Sequence, residues 1–362
     1  MKKEIAVVFL DTSKPNTPFN NRYSCIRKMT QEKYKVIYKK IRANENKVNF
    51  IRGFSSRLRI LKSIVDISFK NRRKYKLAFY FGYIDPLTIV LMFVIAKFFN
   101  IKIICEVNEF PVRVYKYGRE NIVSKFIETK FADGYSIISD QLVEYFESIS
   151  LFKKRIIKLP MTVDENRFVG VVNINTNNIV YSGSLNHKKD GLNFLLEAFK
   201  ILSQKSKLNL VIAGYGTSSE IDYLLEFIKN NNLENRVSYL GYIKSSEIPS
   251  LVCSAKILVM PRPKSKQAEG GFPSKLGEYL MSRKPIVVTR TGEISNFLNE
   301  NEVFFIDTDN IIKGLIKKIL YIENNYEYSL KKAEYAYMKV MRSFSLEANE
   351  RKLNIFIREV VE

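Results

Sequence analysis

The stretch GGFPSKLGEYLMSRKPIVVT, residues 270–289, combines a flexible start, a short amphipathic segment and an apolar run. Gly270 and Gly271 permit unusual backbone angles and let a ligand approach the main chain closely. Pro273 suits the first position of a helix, and the closing PIVVT is rich in β-branched residues. The stretch therefore predicts a loop, a helix over 273–282 and a strand, which together form part of an α/β sheet.

The start of this helix is predicted to bind an anion. The backbone N–H groups of Gly271, Phe272 and Ser274 have no partner inside the helix and lie at its positive end. Lys275 and Glu278 are three residues apart and share one helix face. A lysine suits a phosphate, and a carboxylate one turn later suits two neighbouring hydroxyls such as those of ribose. The alternative is a surface ion pair between these two side chains, which contributes little to stability.

On both sides of this stretch, short β-branched runs alternate with longer amphipathic ones, which is typical of βαβ units around a parallel sheet. In the first half the predicted strands are 4–10, 34–39, 76–82, 101–107, 134–139 and 155–160, with helices at 86–99 and 139–149. In the second half the predicted strands are 178–184, 208–216, 236–241, 256–263, 285–289 and 302–307, with helices at 192–205, 220–232, 245–255, 273–282 and 344–361.

A polar, asparagine-rich segment at 164–178 separates the two halves and predicts a linker. We therefore expect an α/β fold with two Rossmann-like, doubly wound domains, 1–163 and 179–343, that face each other across a cleft. Ligands of such sheets bind at the carboxyl ends of the strands, and clefts between domains are common binding sites. The chain has 362 residues, 46% of them apolar, which is enough for two domain cores.

The chain is strongly basic, with 59 Lys and Arg against 37 Asp and Glu and a net charge of +22. Such a charge attracts an anionic partner: nucleic acid, a phosphorylated ligand or an acidic lipid surface. Part of the lysine excess also fits a general compositional bias. Basic residues cluster at 39–63 and 69–76, so a patch on the first half suits a membrane face. We expect no nucleic-acid partner, because no RNA-recognition, helix-turn-helix or zinc-finger spacing is visible. The alternative interpretation of the charge is a basic nucleic-acid-binding protein.

The longest apolar stretch, 86–107, is interrupted by Lys97 and Asn100, so it predicts a helix and a strand, not a membrane span. An alternative to a membrane role for the helix at 86–99 is a buried crossover between two strands. The opening MKKEIAVVFLD predicts a strand and not a signal peptide. Three scattered cysteines indicate reduced thiols. We expect a cytoplasmic protein that is peripheral on the inner face of the cell membrane.

Two other strand ends in the second half carry groups that suit a nucleotide. One is followed by a glycine turn and two lysines, so a phosphate there would meet backbone N–H and ammonium groups. An exposed lysine pair is the alternative. The next strand ends in two glycines, which allow either a tight turn or the close approach of a nucleotide. The candidate residues are Gly183, Ser184, Lys188, Lys189, Gly214 and Gly216.

In order and spacing, these segments resemble retaining glycosyltransferases of the GT-B fold, family 4 (glycosyl transferases group 1) type. The resemblance covers about 160–310 and rests on YSGSLNHKKDGLNFLLEAF, LVIAGYG, RVSYLGYIKSSEIPSLVCSAKILVMP and GFPSKLGEYLMSRKPIVVTRTGEI. FADGYSIISDQLVEYF (131–146) and LPMTVDENRF (159–168) are similar to two further elements of the family. The resemblance implies the GT-B fold, an acceptor-binding first domain and a terminal helix, 344–361, that packs back on that domain.

The resemblance also implies a ribose contact. Glu278 matches the second glutamate of the family's Glu-seven-Glu motif, which binds the ribose of the nucleotide-sugar. The first glutamate of that motif falls on Gly270 here. Either the neighbouring Glu269 takes its place, or the amides of Gly271 and Phe272 bind the sugar hydroxyls and the phosphate.

The basic residues that the family places on the diphosphate are changed. Its arginine falls on Ser184 and its usual lysine on Asp190. Lys188 or Lys189 then serves the diphosphate, and Lys275 supplies a further cation. The resemblance therefore makes Lys189 and Lys275 the candidates for stabilising the leaving group.

The first half departs further from the family, which often has a histidine near the donor sugar. The segment CEVNEFP (105–111) stands there, and the chain's one histidine is His187. Glu109 is the substitute, which would orient hydroxyls or act as a weak base, and a loop or capping carboxylate is the alternative. The family's glycine-rich first loop is replaced by KPNTPFNNRYS, 14–24. The predicted acceptor residues there are Asn21 and Arg22.

The function that the resemblance implies is transfer of a hexose from a UDP- or GDP-sugar to a hydroxyl acceptor, with retention. We expect no metal, because no His/Cys/Asp cluster has metal-site spacing and lysines with a helix start would take up the charge. The expected acceptor is a lipid-linked or surface polysaccharide glycan, as in capsule or lipopolysaccharide assembly, at an anionic membrane surface. A GT-B-fold phosphorylase or epimerase is a further alternative.

Overall fold

The computed structural model describes residues 4–11, 18–40, 50–82, 86–111, 114, 125–126, 129–150, 153–174 and 176–362. The chain divides into two units, Met1–Thr162 with Leu346–Glu362, and Val163–Ser345. Each unit contains one six-stranded sheet in which neighbouring strands run parallel. Most of the segment predicted as a linker falls in the second unit, where Glu165–Phe168 form a 3-10 turn.

The sheet of the first unit has the strand order β2-β1-β3-β4-β5-β6. Its inner strands carry continuous apolar runs because both faces of a parallel sheet are covered by helices. The strands are β1 (Glu4–Asp11), β2 (Lys35–Lys40), β3 (Tyr75–Phe81), β4 (Lys102–Val107), β5 (Gly134–Ile137) and β6 (Arg155–Lys158). The helices that follow them are α1 (Pro18–Gln31), α2 (Phe50–Asn71), α3 (Pro86–Phe98) and α4 (Asp140–Ile149).

The sheet of the second unit has the order β12-β11-β10-β7-β8-β9, so the chain starts in the middle and reverses between β7 and β10. Ligands of doubly wound sheets bind at such a switch point, beyond the carboxyl ends of the two strands. The strands are β7 (Asn178–Ser184), β8 (Asn209–Tyr215), β9 (Val237–Tyr239), β10 (Ile257–Met260), β11 (Ile286–Thr289) and β12 (Phe304–Ile306). The helices are α5 (His187–Asp190), α6 (Leu192–Leu202), α7 (Ser218–Asn230), α8 (Ile248–Ser254), α9 (Lys266–Gly270), α10 (Ser274–Met281), α11 (Ile294–Phe297), α12 (Ile311–Asn324) and α13 (Tyr326–Ser343).

The last helix, α14 (Leu346–Val361), returns to the first unit. Its apolar residues recur every three or four positions and enter the same core as Val7 and Phe9 of β1. Gly134 of β5 allows this packing, because a Cβ atom there would lie 2.7 Å from Val360 Cγ2. The α14 residues in this core are Leu353, Phe356, Ile357, Val360 and Val361.

The helices of the first unit differ from the sequence predictions in two respects. The sequence analysis predicted no helix at α1 or α2, where asparagine and arginine residues obscure the apolar periodicity. The helix at α3 is not a buried crossover: one face is buried, but Val94 and Phe98 are 61% and 80% exposed. Within the part of the chain that the structure describes, no helix has both the length and the hydropathy that crossing a bilayer requires.

Candidate functional site

The switch point of the second sheet is shaped by two tight approaches of the backbone. Gly191, which ends α5, has a φ of +73°, and a Cβ atom there would lie 2.0 Å from the carbonyl oxygen of Pro261. Only glycine therefore lets the segment after β7 lie against the segment after β10. Asn186 begins α5 by accepting a hydrogen bond from the Lys189 N–H at 2.8 Å. Together these contacts bring Asp190 to the end of β10.

Helix α10 is fixed against β7 by a buried tyrosine. The Ser182 backbone N–H donates to the Tyr279 hydroxyl at 2.8 Å, and Tyr279 is fully buried. Burial raises the pKa of Tyr279 to about 12, so the hydroxyl stays protonated. Because Lys275 lies one turn before Tyr279 on the same helix, it is held at the carboxyl end of β7.

Lys275 forms a buried ion pair with Asp190. Its Nζ atom lies 3.1 Å from Asp190 Oδ1, and the two side chains are 13% and 7% exposed. The same Nζ donates to the Tyr181 hydroxyl at 3.4 Å. Gly183 makes room for the ammonium group, since a Cβ atom at this position would lie 2.4 Å from Nζ.

The charges around Lys275 favour an anion. Burial lowers the pKa of Lys275, Asp190 opposes this shift, and the neighbouring cations Arg262 and Lys189 lower the pKa further. Arg262 follows Pro261 after the end of β10 and is only 3% exposed. The described groups that act on Lys275 are thus one carboxylate and two more cations. Positive charges in a partly desolvated setting need an anion to balance them, and a diphosphate has that charge.

Glu278 faces a different partner on the same helix. Arg167, from the 3-10 turn, donates through Nη1 to Glu278 Oε1 at 2.5 Å and through Nη2 to the Ser245 carbonyl oxygen. Burial raises the pKa of Glu278, and Arg167 opposes that shift. Lys275 and Glu278 therefore do not form the surface ion pair that was the alternative interpretation, because each is buried with a partner from a distant segment.

The segment before α10 is anchored by Phe272. Its ring packs edge-on against Phe297 and Phe344, with centroids 5.5 and 5.4 Å away. Gly270, Gly271 and Pro273 beside it are buried, and α10 begins at Ser274. The Gly271 N–H donates to the Gln267 carbonyl oxygen at 3.2 Å and closes α9, so the prediction that this N–H is open to an anion is wrong. Glu269, at the end of α9, is half-buried and lies 3.7 Å from Lys266. This anchoring fixes the main chain at the start of α10.

The other predicted residues of the second unit lie along the same strand ends. Gly183 and Gly214 face each other across β7 and β8, and Ser184 is the last residue of β7. Gly216 follows β8, where a Cβ atom would be 3.0 Å from Leu185 Cβ. The structure thus gathers Gly183, Ser184, Lys189, Gly214 and Lys275 around the ends of these strands, whereas Lys188 is exposed on α5.

Three predicted residues belong to the first unit: Asn21, Arg22 and Glu109. Arg22 is 4% exposed, and its guanidinium donates to Glu106 of β4, to the Pro160 carbonyl oxygen at 2.6 Å and to the Leu159 carbonyl oxygen at 2.7 Å. The hydroxyl of Tyr80 also donates to Glu106. Asn21 on α1 and Glu109 after β4 are half-buried. The acceptor roles of these residues stay predictions, and the contacts of Arg22 described above are internal to its unit.

Sequence reasoning missed several residues of this site. Arg262 offered a usable signal, because a basic residue just beyond the carboxyl end of a central strand lies where ligands of such sheets bind. Arg167 offered none, since it is 111 positions from Glu278. In the described ranges, no three His, Cys, Asp or Glu side chains converge as a metal site would require. The residues that sequence reasoning gave no binding role are Arg167, Tyr181, Asp190, Arg262 and Tyr279.

Comparisons with known structures identify the fold. The chain shares 12% identity and a TM-score of 0.76 with the sucrose-phosphate synthase of Thermosynechococcus elongatus, over 98% of this chain and 99% of that one. It shares 14% identity and a TM-score of 0.71 with Anabaena HepE in complex with UDP-glucose, over 98% and 100%. A glycosyltransferase from Rickettsia africae gives 16% identity and a TM-score of 0.70, over 99% of each chain. The two parallel sheets and these neighbours define the GT-B fold of glycosyltransferases.

A family model matches most of the second unit. Residues 162–339 match the model described as Glycosyl transferases group 1. This range contains β7 to β12 and the cluster around Lys275, so the site lies within the matched residues. No curated protein sequence matches the chain significantly.

Proposed function

We propose that the protein transfers a sugar from a UDP- or GDP-sugar to a hydroxyl group of a glycan acceptor, with retention at the anomeric carbon. The observation that carries this proposal is the cation cluster at the switch point of the second sheet. Lys275 is paired there with Asp190, and Arg262 and Lys189 act on Lys275. The family match over 162–339 and the UDP-glucose bound to HepE support a nucleotide-sugar donor.

The chemistry follows from where negative charge develops during the reaction. When the bond between the anomeric carbon and the β-phosphate oxygen breaks, its electron pair stays on that oxygen. Lys275, Lys189 and Arg262 stabilise this charge, and so do the N–H groups at the start of α10. Fixed cations of this kind stabilise the leaving group without a metal. The acceptor oxygen then bonds to the anomeric carbon, and its proton passes to the departing phosphate oxygen.

The remaining residues hold the two substrates. Glu278 accepts hydrogen bonds from the ribose hydroxyls, while Arg167 keeps its carboxylate in place. Gly183 makes room for the Lys275 ammonium group and Gly214 for the carbonyl oxygen of Gly183, so the two glycines shape the strand ends beside the proposed nucleotide site. On the acceptor side we assign Glu109, with Asn21 beside the structural Arg22. The proposed acceptor is a lipid-linked or surface polysaccharide glycan of the capsule or lipopolysaccharide type. We place the enzyme peripherally at the inner face of the cell membrane.

A thermal-shift panel of UDP-, GDP- and ADP-sugars tests the donor site. The matching donor at about 100 times its Kd stabilises the protein by about 2.7 kcal/mol, which raises the Tm by several degrees. Glu278→Ala should abolish this rise, while Glu234→Ala, which removes an exposed carboxylate, should keep it. A Glu278→Ala protein that responds like wild type would refute the ribose contact.

Product analysis with a labelled donor separates the alternatives. A labelled glycan with the donor's anomeric configuration supports a retaining transferase. Sugar phosphate as the product would indicate a phosphorylase, and an isomerised nucleotide-sugar would indicate an epimerase. No response to any nucleotide-sugar, together with steeply salt-dependent binding of nucleic acid, would favour the nucleic-acid-binding alternative.

A further inference from the structure

Helix α3 exposes an apolar face that a helix in water does not usually have. Leu87, Leu91, Val94 and Phe98 are spaced four, three and four residues apart, so they lie on one face. Their side chains are between 38% and 80% exposed. The opposite face is buried in the first unit through Thr88, Ile89, Met92 and Ala96. A helix that is apolar on both faces is suited to contact with a second apolar phase.

Helix α2 packs against α3 and repeats the same spacing. Its exposed residues Leu58, Lys62, Val65 and Phe69 follow the four-three-four pattern, with one lysine among three large apolar side chains. Phe69 is 66% exposed. The two exposed faces are thus built alike on neighbouring helices.

An arginine joins the ends of the two helices. The Arg72 guanidinium lies over the Phe69 ring at 5.4 Å and over the Phe99 ring at 5.3 Å. Phe98 and Phe99 are themselves 5.1 Å apart. The carboxyl ends of α2 and α3 therefore meet in one group of aromatic rings around a cation, so the two apolar faces adjoin there.

The surroundings of these faces are basic. Between residues 57 and 76 the only acidic side chain is Asp66, while eight basic residues lie on either side of it. The exposed ammonium and guanidinium groups can reach phosphates while their stems lie along apolar surface. The basic residues of this segment are Arg57, Arg59, Lys62, Lys70, Arg72, Arg73, Lys74 and Lys76.

We propose that this α2–α3 surface, made of Leu58, Val65, Phe69, Leu87, Leu91, Val94 and Phe98 with its basic rim, docks on an anionic phospholipid bilayer. The apolar side chains enter the boundary between headgroups and acyl chains, and the rim binds lipid phosphates. A second copy of the chain would bring two basic rims together, and their like charges would repel each other. Nucleic acid would bind the basic rim but would leave the apolar faces in water. A bilayer satisfies both features.

Docking of this kind is interfacial and does not span the bilayer. The 13 residues of α3 give a length of about 20 Å, against the ~30 Å of a hydrocarbon core. The inference rests on the proposed membrane location, and it does not depend on the donor chemistry.

Vesicle flotation tests the surface directly. The wild-type protein should bind vesicles of phosphatidylcholine with about 30% phosphatidylglycerol much better than pure phosphatidylcholine vesicles. Leu91→Ser/Val94→Ser/Phe98→Ser should weaken this binding at least about tenfold. Lys62→Glu/Lys70→Glu/Lys74→Glu should remove the preference for the anionic lipid. Leu225→Ser/Leu240→Ser, which changes two residues of the second unit that are each 49% exposed, is the matched control and should bind like wild type.

A tryptophan probe gives a second measurement without disrupting the surface. The chain contains no tryptophan, so Phe98→Trp introduces a single fluorophore. Its emission should shift to shorter wavelength when anionic vesicles are added, while that of Leu240→Trp should not. An unshifted Phe98→Trp emission with anionic vesicles present would overturn the proposal.

The remaining outcomes are also decisive. Equal vesicle binding by wild type and the triple serine variant would overturn the proposal. A dimer in vesicle-free solution that the triple serine variant dissociates would assign the surface to a second copy instead. A donor-induced rise in Tm that the variants retain shows that the second unit is intact. Loss of that rise in the wild type would count against the proposed transferase alone.

Discussion

Both units hold a buried ion pair near the ends of their central strands, and the two pairs differ in how their charges balance. In the first unit Arg22 is matched by Glu106, and its other nitrogens are used by carbonyl oxygens of the same unit. In the second unit Lys275 is matched by Asp190, but Arg262 and Lys189 also act on it. Burial of charge therefore does not by itself mark a binding site, and the further cations that act on Lys275 distinguish the second pair from the first.

The largest effect should come from breaking the balanced pair. Arg22→Met leaves Glu106 buried without its cation, which should lower the free energy of unfolding by about 3–5 kcal/mol. Urea denaturation measures this loss. Adding Glu106→Gln in the same chain should restore much of it, because the uncompensated charge is then gone. An Arg22→Met protein that unfolds like wild type but loses acceptor affinity would instead support the predicted acceptor role.

Breaking the pair between Lys275 and Asp190 should affect catalytic efficiency more than stability. Lys275→Met removes one of the cations on the diphosphate and should lower kcat/KM by about 100- to 1,000-fold. Stability should change less than in the Arg22 variant, because the cations Arg262 and Lys189 that act on Lys275 remain in the cluster. Steady-state kinetics and urea denaturation measure the two quantities. Lys200→Met, at an exposed position on α6, is the control. A stability loss with unchanged kinetics would give Lys275 the structural role that Arg22 has.

The pair between Arg167 and Glu278 can be examined through pH. Arg167→Met removes the group that lowers the pKa of Glu278, so this pKa rises further. As the pH is lowered, the donor affinity of the variant should therefore begin to fall at a higher pH than that of wild type. At pH 6 the variant should bind the donor about tenfold more weakly than wild type does. Isothermal titration from pH 5 to 8 measures the shift. Arg167→Lys should restore most of the affinity, and Arg290→Met, at an exposed position, should leave the profile unchanged.

The same variant has a defined effect on stability. Burial already raises the folded-state pKa of Glu278 above its unfolded value, so the folded state binds the proton more tightly. The stabilising contribution of that proton is present at low pH and is lost as the pH rises through the folded pKa. Arg167→Met should therefore lose more stability than wild type between pH 5 and pH 8. An identical pH dependence of unfolding in the two proteins would contradict this ion pair.

The smallest effect should come from the glycine beneath the ammonium group. Gly183→Ala places a methyl group against Lys275 Nζ and strains a residue whose φ is +152°. We expect a loss of about 1 kcal/mol in stability and a fall in donor affinity of about threefold to tenfold, which is about 0.7–1.4 kcal/mol. Gly170→Ala separates the two effects, because Gly170 has a φ of +75° and no atom within 4 Å of the added Cβ. It should lose stability and keep donor affinity.

The fold followed from local sequence patterns to a large extent. The prediction of two doubly wound α/β sheets is confirmed, because continuous apolar strands and amphipathic helices are written in short windows of sequence. Helix α1 was missed because its buried positions alternate with asparagine and arginine. The exposed face of α3 was missed for the opposite reason: an apolar helix looks the same in sequence whether one or both faces are covered.

The site was less accessible to sequence reasoning. Lys275 and Glu278 were expected to share a helix face, which follows from their spacing. Their partners come from segments far away in the chain, and no local period encodes such pairings. Asp190 drew attention only as a departure from a family pattern, whereas the structure makes it the counter-ion of Lys275. The direct roles of these residues toward a donor stay predictions until the kinetics above are measured.

Helix α14 has a consequence for biosynthesis. The core beneath β1 includes Phe356, Ile357 and Val360, which the ribosome adds only after the whole of the second unit. The first unit therefore cannot close its core before the second unit has been made, while Val163–Ser345 is a continuous segment that can. The usual order of maturation is thereby reversed, because the first unit waits, partly open, until α14 has been synthesised. A stop codon between Ser345 and Leu346 would spare the whole second unit, yet it would leave the part made earlier unfinished.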